Sequence, residues 1–150
     1  MKKTFKAWMI GVAFAAGALE VAAQDVSDPK MNKSFGGDAL RIGEATYQQG
    51  IGTHANSDFL FFLNGKYKRL HAEVGVHNGP RGTVGFTVYA DDQPVFESGL
   101  MLRDHAAKVL DLDVSGVIDL RLVVDDGGNG QGGDHANWCD VYVTKESTAK

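Results

Sequence analysis

The chain has one cysteine, three prolines and, past its N-terminus, no window with a helical apolar stripe. With Cys139 alone no internal disulfide can form, so the core must hold the fold, with a bound metal as the other available support. Cys139 falls in an alternating apolar pattern, which predicts a buried, inert thiol rather than a nucleophile. Positive charge is also scarce. The net charge is −4, and it becomes −6 once residues 1–23, with three lysines and one glutamate, are set aside. A surface of that sign does not suit a phosphate backbone, which argues against a nucleic-acid partner. Long apolar runs are missing except at residues 7–19, which follow Lys2, Lys3 and Lys6 and are too short for a comfortable membrane span. Val21-Ala22-Ala23 then offers small side chains to a signal peptidase. Residues 1–23 therefore read as a signal peptide cleaved near Ala23, and the protein as secreted or periplasmic. No cysteine follows the apolar run to carry a lipid anchor.

What the sequence does have is glycine, 19 in all, and short alternating segments. Residues 24–33, with Pro29, read as a polar lead-in. Residues 34–145 read as one domain and 146–150 as a charged tail. Leu70, Ala72, Val74 and Val76 alternate with polar neighbours; so do Val84, Phe86, Val88 and Ala90, and again Leu120, Leu122 and Val124. Asn64-Gly65, Asp91-Asp92 and Ser115-Gly116 supply turns between such runs. Eight or nine short strands spaced in this way predict an all-β fold, an antiparallel β-sandwich, with a closed barrel as second choice. Gly50 and Gly52 are expected to break the chain before Thr53-His54-Ala55-Asn56, and residues 99–105 to form a loop.

The most polar stretch is residues 125–138, with five glycines, three acids, His135 and Trp138. A loop of that length between strands calls for a function. Its Gly128–Gly133 portion spells a GxGxxG pattern, but a strand follows where a dinucleotide site needs a helix. Against a helix–loop–helix calcium site it lacks the ligands at positions three and twelve. A different oxygen-rich calcium site built on Asp125, Asp126 and Asn129 stays open, against plain turn chemistry for the same residues. No serine sits in a nucleophile-elbow context and no zinc spacing is present, so hydrolysis is the minority reading. Sugar binding fits best. Pyranose recognition wants a flat aromatic face and rigid polar groups. Trp138 and Tyr47, then Tyr67 or Tyr89, could supply the face. His54, Asn56, Asp134 and His135, with Arg103 and Asn137, could supply the hydrogen bonds. The competing readings make Trp138 a core residue and the two histidines loop pins.

These residues resemble a family. Tyr47 to Ala55 (YQQGIGTHA), then Tyr67 to Leu70 with Ala72 to Val76, Val88 to Asp91, Glu97 to Gly99, Leu120 to Val124 and finally Asp134 to Trp138 (DHANW) are similar to the NPCBM domain, a type of carbohydrate-binding module. The likeness runs from about Ser34 to Val143. It implies a galactose-binding-like jelly roll that is non-catalytic and often attached to glycoside hydrolases. It also implies binding of galactose-type glycans in some members and of calcium in some. Asn137 stands where members often have Asp, and Cys139 where they often have a small residue.

The expectation is an exported glycan-binding module, with Tyr47, His54, Asn56, Asp134, His135 and Trp138 at the sugar and a glycoside hydrolase acting on the same substrate as a partner. The alternatives are a structural module that docks on an envelope partner, and a small polysaccharide hydrolase.

Overall fold

The computed structural model describes residues 7–13, 19–20, 29–79, 82–128 and 134–145. Its strands are β1 (Ala7–Ala13), β2 (Leu19–Glu20), β3 (Lys30–Met31), β4 (Leu40–Ile42), β5 (Ala45–Tyr47), β6 (Gly50–His54), β7 (Ser57–Phe62), β8 (Arg69–Val76), β9 (Thr83–Ala90), β10 (Gln93–Leu102), β11 (Lys108–Asp113), β12 (Asp119–Asp125) and β13 (His135–Thr144). One sheet runs β10-β9-β12-β7-β1-β2, the other β11-β8-β13-β6-β3, and β4-β5 is a separate hairpin. This is the expected sandwich. Among the described residues every strand pairing is antiparallel except β1 with β7.

The alternation sets which side chains meet. Phe59 and Phe61 of β7, Phe86 of β9 and Leu120, Leu122 and Val124 of β12 form one inner face. Leu70, Ala72, Val74 and Val76 of β8 and Trp138, Val141 and Val143 of β13 form the other, and all are buried. Full burial of such a side chain contributes roughly 1.5–3 kcal/mol each. A second, smaller apolar cluster lies on the outer side of the five-stranded sheet. Leu40 and Ile42 of the β4–β5 hairpin close over Cys139 there, with Tyr47 and Ala107 at its margin. Burial raises the Cys139 thiol well above its ordinary pKa, which fits the inert thiol expected.

Four segments differ from expectation. Gly50 and Gly52 do not break the chain; they lie in β6, between β13 and β3. A side chain at Gly50 would collide with the Trp138 carbonyl, and one at Gly52 with the backbone of Lys33 and Ser34. These glycines permit close backbone approach within a sheet rather than a turn. Secondly, the lead-in contributes β3, whose Lys30 and Met31 pair with Gly52 and Ile51. Asn32 continues the contact by donating its N–H to the Gly50 carbonyl and accepting the Gly50 N–H on its side chain. Thirdly, β10 extends to Leu102 by absorbing Gly99 in a bulge. Lastly, β1 and β2, from the segment read as a leader, lie along the β7 edge of the six-stranded sheet. Cleavage near Ala23 would remove both and leave β7 at the edge. The tail, 146–150, lies outside the described residues.

Candidate functional site

The two polar segments singled out in the sequence meet. β6 and β13 are neighbours, and their register sets His54 opposite His135. The imidazole centroids lie 5.2 Å apart at 61°. A third ring completes the group: Phe35 stands 5.1 Å from His54 and 5.2 Å from His135, edge-on to both. Gly52 is what brings it there, because only a residue without a side chain lets Lys33 and Ser34 cross β6 so closely. Past the crossing, Ser34 closes a turn by donating to the Asp38 carbonyl and accepting the Asp38 N–H on Oγ. Phe35 projects from that turn, with Lys30 Nζ 5.3 Å above its ring. All three rings are half-buried.

The hydrogen bonds fix the chemistry of this rim. His54 Nδ1 lies 2.7 Å from the Ala55 carbonyl, which only accepts, so Nδ1 carries the proton and Nε2 presents a lone pair. Burial lowers the pKa of His135, and the nearby His54 and His77 lower it further, so this ring is neutral at pH 7. Asp134 is buried. Its Oδ1 accepts the Thr83 N–H at 2.9 Å, while Oδ2 has no partner among the described residues. Burial raises its pKa above the usual carboxylate value, the Thr83 N–H and His54 pull it back, and Asp126 pushes it up. Asn56 Oδ1 and Ser57 Oγ are likewise buried without partners among those residues. Two imidazoles, unsatisfied oxygens and an aromatic edge can exchange hydrogen bonds with a polyol that has an apolar face.

Other expected residues lie elsewhere. Trp138 is 0 % exposed and packs edge-on against Phe86 at 5.0 Å. It cannot stack on a sugar, because the β13 register that sends His135 outward sends Ala136 and Trp138 into the core. Tyr47 is also corrected: its hydroxyl donates to Glu73 Oε1 at 2.8 Å beside the hairpin cluster, away from the three rings. Tyr67 lies under Lys145, Tyr89 under Arg121, and Arg103 donates to the Gly79 carbonyl. Asn137 is buried beneath the hairpin, where Nδ2 donates to the Arg41 carbonyl and to His77 Nδ1. Its difference from the Asp common in similar sequences therefore bears on packing and not on the rim. Phe35 was missed. The signal available was an aromatic residue beside Gly36-Gly37, at the very start of the segment taken as the domain.

Of the expected calcium ligands, Asp125 Oδ1 accepts the Gly127 N–H and Asp126 Oδ1 the Gly128 N–H, both at 2.8 Å. That is ordinary turn chemistry. Asn129 lies outside the described residues. Among those described, no three His, Cys, Asp or Glu side chains gather as a metal group. The partnerless oxygens of Asn56, Ser57 and Asp134 make a different set. Ala55 donates its N–H to the Asp134 carbonyl, and Ser57 pairs with Val124, so these residues adjoin Asp126. An all-oxygen set containing carboxylates fits a hard cation such as calcium.

A family model for the NPCBM/NEW2 domain matches residues 14–144. The chain belongs to this family. The match begins ahead of Ala23, so the end of the segment read as a leader falls within it. Among solved structures, the CBM51 module of a Clostridium perfringens GH95 protein, in complex with methyl-galactose, superposes with a TM-score of 0.75 at 32% identity. The likeness covers 82% of this chain and 91% of that one. The second CBM51 module of Clostridium perfringens ZmpB, in complex with GlcNAc, gives a TM-score of 0.73 at 28% identity, over 82% of this chain and 29% of that one. A curated relative, alpha-1,3-galactosidase B of Akkermansia muciniphila, is 32% identical over 93% of this chain. The chain spans 18% of that protein's length, so what the two share is a module.

Proposed function

We propose that this chain is an exported, non-catalytic module that binds a terminal galactose-type sugar at the His54–His135 rim. One observation carries the reading: the Gly52–Ala55 and Asp134–Trp138 segments, far apart in sequence, put two imidazoles side by side at a half-open edge. His54 Nε2 accepts a hydroxyl proton, the neutral His135 ring makes a second bond, and Phe35 offers its edge to ring C–H groups. The sugar named for the GH95 module and the activity named for the Akkermansia relative both support a galactose-type ligand. In this reading the module keeps a glycoside hydrolase, on the same or another chain, close to its substrate. A glycan array followed by calorimetry with methyl galactoside tests it. Binding that His54→Ala and His135→Ala each weaken by roughly tenfold or more is expected. Folded protein that binds no galactoside would count against it.

Two further parts of the reading have their own tests. Calcium, held by Asp134, Asp126, Asn56 and Ser57, orders the loop beneath the rim. Metal analysis of purified protein reads this directly. Export with cleavage near Ala23 predicts a mature N-terminus at Gln24, which N-terminal sequencing of the secreted protein reads. A second reading, a structural module that docks on an envelope partner, draws on the burial of Trp138, which removes the aromatic platform a lectin site often uses. The half-open rim favours the sugar.

A further inference from the structure

The outer face of the six-stranded sheet contains a notch that the rim does not use. Gly85 forms its floor. In register, Asp125 of β12 lies on one side of Gly85 and Leu100 of β10 on the other; one step along, Glu97 lies opposite Thr87. Because Gly85 has no side chain, these neighbours enclose a cavity of about 260 Å³. That is just under the ~300 Å³ at which small-ligand clefts begin, a size for one sugar ring rather than a chain.

Each wall is held by backbone geometry. A Cβ at Gly85 would come within 2.9 Å of Asp125 Oδ2, so the carboxylate leans directly over the floor. The Gly127 N–H fixes Asp125 through Oδ1 and leaves Oδ2 to the notch. On the far side the β10 bulge inserts Gly99 at φ +72°. Ser98 Oγ repairs the ladder there, accepting the Phe86 N–H at 2.9 Å and donating to the Gly99 carbonyl at 2.6 Å. The bulge turns Leu100 outward, 54 % exposed, as an apolar wall. Among the described residues, no basic side chain lines the cavity.

We propose that this notch is a second saccharide subsite, separate from the His54–His135 rim. A single neutral pyranose lays its C–H face on Leu100 and gives hydroxyl protons to Asp125 Oδ2 and Glu97. Acidic sugars are disfavoured, because two carboxylates face the cavity and no basic side chain among the described residues lines it. The proposal rests on the glycan-binding reading, and the two sites lie on different sheets. Their responses can therefore be followed apart.

The test is an amide NMR titration of the full mature protein with methyl galactoside, then N-acetylglucosamine and galacturonic acid. The Gly85, Gly99 and Gly127 amides report the notch, and the Gly52, His54 and His135 amides report the rim. With at least one neutral sugar, the notch amides are expected to shift on a saturation curve of their own. Galacturonic acid should leave them still. Thr87→Leu, which fills the cavity, and Glu97→Ala should each weaken the notch response by roughly tenfold while the rim response persists. If the rim amides move and the notch amides do not, the subsite is wrong and the glycan reading stands. If neither set moves, the glycan reading fails with it. A notch response abolished by His54→Ala would make the two one site, and one produced by calcium alone would make the notch a cation site; either overturns the proposal.

Discussion

His135 and Asn137 lie two residues apart on one face of β13, yet His135 is half-open beside Phe35 while Asn137 is fully covered by the β4–β5 hairpin. Around Asn137 the donors find acceptors, although its own Oδ1 is buried without a partner among the described residues. Nδ2 reaches the Arg41 carbonyl at 3.1 Å and His77 Nδ1 at 3.0 Å, and His77 returns its backbone N–H to the His135 carbonyl. Around His135 the neighbours are two rings, and oxygens of Asn56, Ser57 and Asp134 have no partner. A burial that leaves polar atoms unsatisfied costs about 1–3 kcal/mol each. At the half-open rim a ligand or cation can supply the missing bond. Beneath the hairpin the unpaired Asn137 Oδ1 is closed off from any ligand, and the two bonds of Nδ2 offset its cost. The Asp134–Trp138 motif therefore divides by parity and position: Trp138 builds the core, Asn137 locks the hairpin, and Asp134 and His135 face the site.

Substitutions in the two regions should have opposite consequences. The largest effect belongs to the core. Trp138→Ala should cost about 3–5 kcal/mol in urea unfolding, because a large buried ring leaves a cavity. A loss under 1 kcal/mol would mean the indole is not where the fold puts it. Next, Asn137→Ala removes two buried hydrogen bonds, to His77 Nδ1 and the Arg41 carbonyl, and should cost about 1–3 kcal/mol, with methyl galactoside affinity unchanged in the fraction that remains folded. His54→Ala should do the reverse: unfolding within about 1 kcal/mol of wild type, and sugar binding lost.

Acidification separates the two regions more gently. His77 and His135 both have folded pKa values below their ordinary value, burial being the main cause in each. As the pH falls below about 6.5 the unfolded chain takes up protons that the folded chain refuses, so stability should fall. Asp134, with a raised pKa, acts in the opposite direction at lower pH. The melting temperature should therefore decline from pH 7 to pH 5.5, and His77→Gln should flatten that slope. A melting temperature that rises over this interval would contradict the assignment. The smallest expected effect is that of a chelator. If calcium links Asp134 and Asp126, its removal lowers the melting temperature by the linkage relation for a ligand bound only to the native state.

The architecture was legible because the apolar residues alternate so regularly. Phe86, Leu70 and Leu122 could be assigned to inner faces from period alone, and the structure buries all three. The neighbouring of His54 and His135 was legible only in part, since pairing between distant strands leaves no local mark. Three features were hidden. Trp138 sat in what read as a loop, although its alternation with Ala136 already belonged to β13. Gly52 read as a breaker, because nothing nearby in sequence shows that another segment crosses it. Phe35 was overlooked because its partners lie about twenty and a hundred residues further on, and its place depends on that crossing. Edges and crossovers depend on tertiary contacts that override local preference.

The most direct test of the whole account is calorimetric titration of methyl galactoside into the wild-type protein, His135→Ala and Asn137→Ala, each shown to be folded. The account predicts that wild type and Asn137→Ala bind alike and that His135→Ala loses most of the affinity. Equal binding by all three, or loss with Asn137→Ala and not with His135→Ala, would contradict it.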